Sequence, residues 1–445
     1  MKRIAILLML ILIVFSACSK NEPEAVNTEA VASGEEFTGT LILGIQGGDR
    51  PSGLTLDGKI IAEEDRNDSL MYWRDIVLHG FPYKVEIRNY ASDSTTIKMD
   101  ADIAGGDAPD VYWDYLGRVN KFANSKYALP INLTFEELDD YLSSALDPVI
   151  KDGKLYALPG TAWASVMVVN KDLVESVGMG SLISDVSWTI DEFLMVVSAV
   201  QEKYGSEYYG FPLFAAGTGG DYWSSFGWLA SFGAKLYENG KIVINSKEGI
   251  EALEFMKFMS DSGIAVPGAA GLGYKVSLAA MGSNNIVACG NSSTSARMPV
   301  DLLDGTGTID SIIMEWPKAP GVDKVPVAVG PDAGMVFAST KHPVEAMELL
   351  RYINSTSYQR FFVKANIRFA SRKSVGNIVV DDPTWGIATD IINRNGTFDI
   401  GVGLEKYSEV RNLFPPMLQA IFTEELTVQE AVDRFVEEGS KVINE

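Results

Sequence analysis

Ala104-Gly105-Gly106-Asp107-Ala108-Pro109-Asp110-Val111-Tyr112-Trp113-Asp114-Tyr115 is the stretch around which the chain organises itself. The preceding segment, Thr95 to Ala104, has helical character, and the glycines and proline stop it and turn the backbone into a short strand at Val111-Tyr112-Trp113. Upstream, Thr40 to Ile45 reads as a strand ending at Gln46-Gly47-Gly48. Ile60 to His79 reads as a helix with Leu70, Trp73, Ile76 and Val77 on one face, ended by Gly80-Phe81-Pro82, and Tyr83 to Arg88 alternates as a second strand. Strand, helix and strand at these lengths give parallel units of an α/β fold.

Further along, Thr134 with Glu137, Thr189 with Glu192 and Thr427 with Glu430 each have capping-box spacing and predict helix starts. Ile250, Leu253, Met256 and Phe258 mark another amphipathic helix. No period of 20 to 50 residues repeats, which argues against solenoids and propellers.

The 445 residues are 47% apolar and 22% charged, a globular composition. Lys and Arg number 37 against 59 acidic residues, a net charge of −22, and no basic cluster stands out to track a phosphate backbone, which argues against nucleic acid as a partner. Two histidines and two cysteines are too few for a His- or Cys-rich metal site or a disulfide framework, which leaves oxygen-ligand metal binding open. No motif calls for a cofactor.

Lys2 and Arg3 precede 12 apolar residues, Ile4 to Phe15, and then Ser16-Ala17-Cys18. That is the layout of an export signal, and it is short of the roughly 20 residues that span a bilayer. Small residues before a lone cysteine resemble a bacterial lipobox, although Phe15 stands where that motif usually has Leu. On that reading residues 1–17 are removed and Cys18 is lipidated; the plainer alternative is an ordinary signal peptide. Removal of Lys2 and Arg3 leaves 35 basic against 59 acidic residues, net −24, a body that anionic headgroups repel. Residues 18–37, rich in Glu and aperiodic, then form a tether with an average reach on the order of 25 Å.

The Ala104-to-Val111 stretch, followed by Lys151-Asp152-Gly153-Lys154-Leu155-Tyr156-Ala157-Leu158-Pro159 and Asn170-Lys171-Asp172-Leu173, resembles the extracellular solute-binding proteins of carbohydrate ABC importers, the maltose-binding-protein-like group. Ser187-Trp188-Thr189-Ile190-Asp191-Glu192-Phe193, Ala279-Ala280-Met281, Pro343 to Met347 and Thr427 to Ala431 match later segments of that family in the same order. The resemblance implies two α/β lobes with a hinge and a ligand cleft between them. It places lobe 1 at 38–159 plus 332–372 and lobe 2 at 160–331 plus 373–445. The crossings fall near Leu158 to Thr161, near Val327 to Pro331 and after about Arg372. It further implies an extracytoplasmic, lipid-anchored monomer that delivers a carbohydrate to permease subunits without altering it.

A pyranose presents C–H faces to aromatic rings and hydroxyls to fixed donors and acceptors, so a sugar cleft pairs Trp or Tyr with polar side chains. Asp114 and Tyr115 follow the short strand where the family commonly contacts ligand; whether Trp113 joins them or fills the core stays open. Trp163 stands where maltose-binding members carry a ligand-contacting acid, and either stacks on sugar or packs the hinge. The loop Gly217 to Trp223 lacks the residues of a phosphate-binding loop and offers Asp221 as an acceptor and Trp223 as a platform. Asn291 replaces an expected Trp, and Gln46 and Asp332 complete the substrate-binding set. Trp228 reads as core, Trp316 as a lobe-surface residue with some claim on the cleft, and Cys289 as a small buried side chain.

Two other functions compete. A secreted carbohydrate-active enzyme would need a pair of carboxylates at glycosidase spacing, which no motif marks. A binding protein for a non-sugar solute is equally compatible with the scaffold.

Overall fold

A computed structural model describes residues 37–46, 78–90, 95–123, 127–217, 220–273, 282–292, 309–366, 368–375, 383–404 and 406–444. The leader, Cys18, the tether and most of the expected helix at Ile60 to His79 lie outside the described residues.

Strands β1 (Thr40–Gln46) and β2 (Lys84–Tyr90) pair in parallel, and after helix α1 (Thr95–Gly105) the chain returns as β3 (Val111–Tyr115), parallel to β1 on its other side. These are the expected α/β units. Helix α2 (Leu116–Ala123) leaves β3 directly. The capping box of Thr134 and Glu137 starts α3 (Phe135–Asp140), with both reciprocal bonds formed.

The long strand β4 (Leu158–Asn170) comes next, followed by α4 (Ile190–Tyr204), which the Thr189–Glu192 box caps. A π-turn at Asp221–Ser225 runs into α5 (Phe226–Ser231), and α6 (Lys247–Asp261) follows. Then come β5 (Ala288–Ser292), β6 (Ser311–Met314) and β7 (Val327–Val336). The chain finishes with α7 (Pro343–Tyr352), α8 (Thr356–Asn366), β8 (Phe369–Ala370), α9 (Pro383–Asn395), β9 (Thr397–Phe398), α10 (Tyr407–Arg411), α11 (Phe414–Phe422) and α12 (Val428–Asn444). Thr427 and Glu430 exchange capping-box bonds at the start of α12.

The main sheet has the order β6-β4-β7-β3-β1-β2, with β7 antiparallel to both β3 and β4. Two cores flank it. One gathers β1 to β3, the end of β7, α7 and α8; the other gathers the second half of β4 with α4, α5, α6 and the C-terminal helices. Both β4 and β7 pass from one core to the other: Leu158 and Ala333 belong to the first, Met167 and Ala328 to the second. A third, smaller cluster sits on the opposite face of β4, where Val166 and Val168 meet Ala388 and Ile391 of α9.

Candidate functional site

β1 and β3 run in parallel and end side by side, at the carboxyl edge where open α/β sheets present loops to ligands. Arg118, one turn into α2, ties the two ends together. Its guanidinium donates to both carboxylate oxygens of Asp114, at 2.6 and 2.7 Å, and to Oε1 of Gln46 at 3.1 Å. Asp114 is 4% exposed and also accepts from the Tyr112 hydroxyl and the Tyr115 amide. Burial opposes the charge on Arg118, but the Asp114 carboxylate outweighs it and raises the guanidinium pKa.

The same pairing recurs twice. Asp221, 2% exposed on the π-turn, accepts from Nε and, at 2.9 Å, from Nη2 of Arg411 on α10. Asp332, opposite Tyr115 in the β3–β7 register, accepts from Nη1 of Arg368, the residue before β8. All three aspartates of the expected substrate-binding set are therefore joined to arginine. Each couple presents donors and acceptors side by side with no net charge, which suits ligand hydroxyls better than an isolated buried charge would.

Between these couples lies an aromatic cluster. The Trp163 ring packs on Tyr222 at 4.9 Å, on Trp223 at 4.7 Å and on Tyr115 at 6.2 Å between centroids. The Tyr115 and Tyr222 hydroxyls bond each other, and each lies 2.9 Å from the Tyr407 hydroxyl. Tyr115 comes from β3, Tyr222 from the π-turn and Tyr407 from α10, so this junction draws together segments from far apart in the chain. Burial raises the pKa of all three phenols and keeps them neutral hydrogen-bonding groups. The guanidinium carbons of Arg118 and Arg411 stand 5.7 and 5.8 Å from the Tyr115 ring centre.

Gln46, Asp114, Tyr115, Trp163, Asp221 and Trp223 thus form one connected group, with Asp332 beside Tyr115 on the sheet. Asn291 stands apart from this group: it is buried in β5 opposite Val166, on the sheet face of Val166 and Cys289, whereas the preceding Gly290 faces Trp223. Trp163 is half-buried, and it packs the crossing strands while bordering the aromatic cluster. Trp113 resolves to the core, edge-on to Tyr358 at 5.9 Å. Trp228 is core as expected. Trp316 corrects the lobe-surface expectation: it is 2% exposed, 5.6 Å from Phe211 and 5.5 Å from Trp228, two residues past the strand Ser311–Met314, which enters the sheet beside β4. Cys289 is a buried thiol whose pKa burial pushes up.

Residues not foreseen are Arg118, Arg368, Arg411, Tyr222 and Tyr407. The four-residue spacings Asp114–Arg118 and Tyr407–Arg411 are visible in the sequence. Nothing local marks Arg368, which meets Asp332 only through the fold.

Residues 78–386 match the family model described as bacterial extracellular solute-binding protein. The chain belongs to that family. Among solved structures, this solute-binding protein is similar to the GacH receptor of Streptomyces glaucescens GLA.O, solved unliganded and with acarbose, at 16% identity and a TM-score of 0.74, covering 92% of this chain and 100% of that one. The maltose-bound MalE3 of T. maritima follows it at 18% identity and a TM-score of 0.71, covering 91% and 100%. A solute-binding protein of Thermotoga lettingae bound to α-D-tagatose is similar at 19% identity and a TM-score of 0.70, covering 91% and 99%. These likenesses establish the two-lobed fold. By sequence, the chain is 27% identical over 156 residues to an arabinooligosaccharide-binding protein of Halalkalibacterium halodurans, 34% of this chain and 33% of that relative. It is 29% identical over 174 residues to a binding protein of Brucella abortus, 38% of this chain and 41% of that relative. The chain thus spans well under half the length of the curated relatives it matches.

Proposed function

We propose that this solute-binding protein is the receptor of an ABC importer, which captures a neutral sugar or oligosaccharide between its lobes and delivers it unaltered to the membrane permease. The observation that carries the reading is the ring of three aspartate–arginine couples, Asp114–Arg118, Asp221–Arg411 and Asp332–Arg368, around the aromatic cluster of Tyr115, Trp163, Tyr222 and Trp223. Couples supply donors and acceptors for hydroxyls, rings supply faces for C–H surfaces, and neither supplies a net charge for an ionic solute. The sugars named for the similar structures fit the same chemistry.

Lobe 1 on this reading comprises 38–159 and 332–372, and lobe 2 comprises 160–331 and 373–445. Closure around the ligand makes a shape that the permease distinguishes from the empty form. A lipid on Cys18 holds the monomer at the outer face of the cell membrane. Cys18→Ser then moves the protein from the membrane fraction to the soluble one, and unchanged fractionation rejects the anchor.

Thermal melting of residues 38–445 with D-tagatose, maltose, maltotriose and arabinotriose tests the ligand class. A bound sugar at a hundredfold excess over Kd stabilises by about 2.7 kcal/mol. No shift with any sugar, beside a shift with a peptide or amine panel, rejects the sugar reading, and turnover of a labelled glycoside rejects the receptor reading.

A further inference from the structure

The first crossing strand carries one residue more than its neighbour. Between β4 and β7, Val329–Ala164, Gly330–Trp163 and Pro331–Ala162 follow one register, whereas Ala333–Pro159 and Gly334–Leu158 follow another, shifted by one. Asp332 is therefore opposed by both Gly160 and Thr161, a β-bulge in β4. Space dictates the glycine: a Cβ at Gly160 would lie 2.3 Å from the Trp113 ring and 3.3 Å from the Asp332 carbonyl oxygen. Bulges re-aim side chains next to functional sites. Thr161 stands two residues before Trp163, so its side chain shares the sheet face on which Trp163 meets Tyr115, Tyr222 and Trp223.

The hydroxyl aimed in this way makes no bond to the described residues. Thr161 is 1% exposed, and its Oγ1 has no hydrogen-bond partner among the described residues. A hydroxyl taken out of water without a partner is costly, and valine has the same shape and a higher tolerance for an apolar setting. The polar atom is useful only if something from outside bonds it. Asp332, held by Arg368, lies opposite on β7, and the Trp163 ring lies just beyond.

We infer that Thr161 Oγ1 is a ligand-contacting group on the first crossing strand, bonding a hydroxyl of the captured sugar between the Asp332–Arg368 couple and the Trp163 ring. The inference rests on the reading of this seam as a sugar site. It adds a specificity element: a site built to bond a ligand hydroxyl rejects an analogue that lacks it far more strongly than an apolar wall does.

Thr161→Val removes the hydroxyl and keeps the shape, and Thr161→Ser keeps the hydroxyl and removes the methyl. Calorimetry with D-tagatose, maltose, maltotriose and arabinotriose, together with ligand-free melting, separates the possibilities. For any of these sugars that the wild type binds, Thr161→Val weakens affinity about tenfold or more, whereas Thr161→Ser stays within about threefold. Ligand-free Thr161→Val melts at or above the wild type. Wild-type affinity in Thr161→Val overturns the inference and leaves the sugar reading standing. A ligand-free Thr161→Val that melts well below the wild type means the hydroxyl is bonded within the chain, and overturns it as well. A wild type that binds none of the four sugars but binds a peptide or amine removes the proposed function and this inference together.

Discussion

Gly330 lies directly under the ring of Trp163. The two are register partners on antiparallel crossing strands, and a Cβ at 330 would fall 2.0 Å from the ring. The close approach lets the indole lie flat across β7 while its other side meets Tyr222 and Trp223.

Gly330→Ala therefore costs about 1–3 kcal/mol, the usual range for a methyl forced into packed surroundings. Chemical denaturation measures it. Trp163→Ala in the same background should recover part of the loss, since the clash is between these two residues. Strict additivity of the two changes would show that the ring does not hold the glycine's place.

Trp163→Ala on its own weakens sugar binding by more than about 1 kcal/mol, in line with the loss of an aromatic contact. Calorimetry with the best-binding sugar of the panel measures it. Unchanged affinity would take Trp163 out of the ligand contacts and leave it as hinge packing.

Arg411→Ala strands the Asp221 carboxylate, 2% exposed on the π-turn. Breaking such a couple costs about 3–5 kcal/mol, much of it the penalty of an unpartnered buried charge. Asp221→Asn together with Arg411→Met should cost less than Arg411→Ala alone, because no charge is left behind. A double variant as unstable as the single one would mean that packing, and not charge, dominates there.

Alkaline pH should loosen the tyrosine junction. Burial raises the folded-state pKa of Tyr115, Tyr222 and Tyr407 above the ordinary 10.0. Their contribution is complete below that value. Above it, the unfolded chain releases protons that the folded chain retains, so stability falls as pH rises, by about 1.4 kcal/mol per pH unit for each such group. Melting temperatures from pH 8 to 11.5 should fall above about pH 10, with a shallower slope in Tyr222→Phe. Equal slopes in the two proteins would mean that Tyr222 does not contribute.

The parallel units and the capping boxes were legible because their signals are local: Gly105-Gly106 and Pro109 before Val111, and a hydroxyl three residues ahead of a glutamate. The aspartates and aromatic rings proposed for the cleft could be singled out because they stand at strand ends and in a glycine-rich loop. Their partners were not. Arg368 reaches Asp332, and Tyr407 reaches Tyr115, across 36 and 292 residues, and no window of sequence encodes such a meeting. The same holds for Trp316, whose burial depends on how β6 docks on β4.

From Val166 to Val169 strand β4 is apolar on both sides, with Met167 and Val169 in the large second core and Val166 and Val168 in the small cluster under α9. Greasiness cannot tell such a ribbon which way up to lie. The phase comes instead from the fit of Trp163 over Gly330. Deleting either bulge residue would join the two registers into one, with Leu158 still opposite Gly334 and Trp163 still over Gly330, and would remove the pair of residues that faces Asp332. The surplus residue thus leaves the orientation of the strand alone and sets only what the chain offers to Asp332.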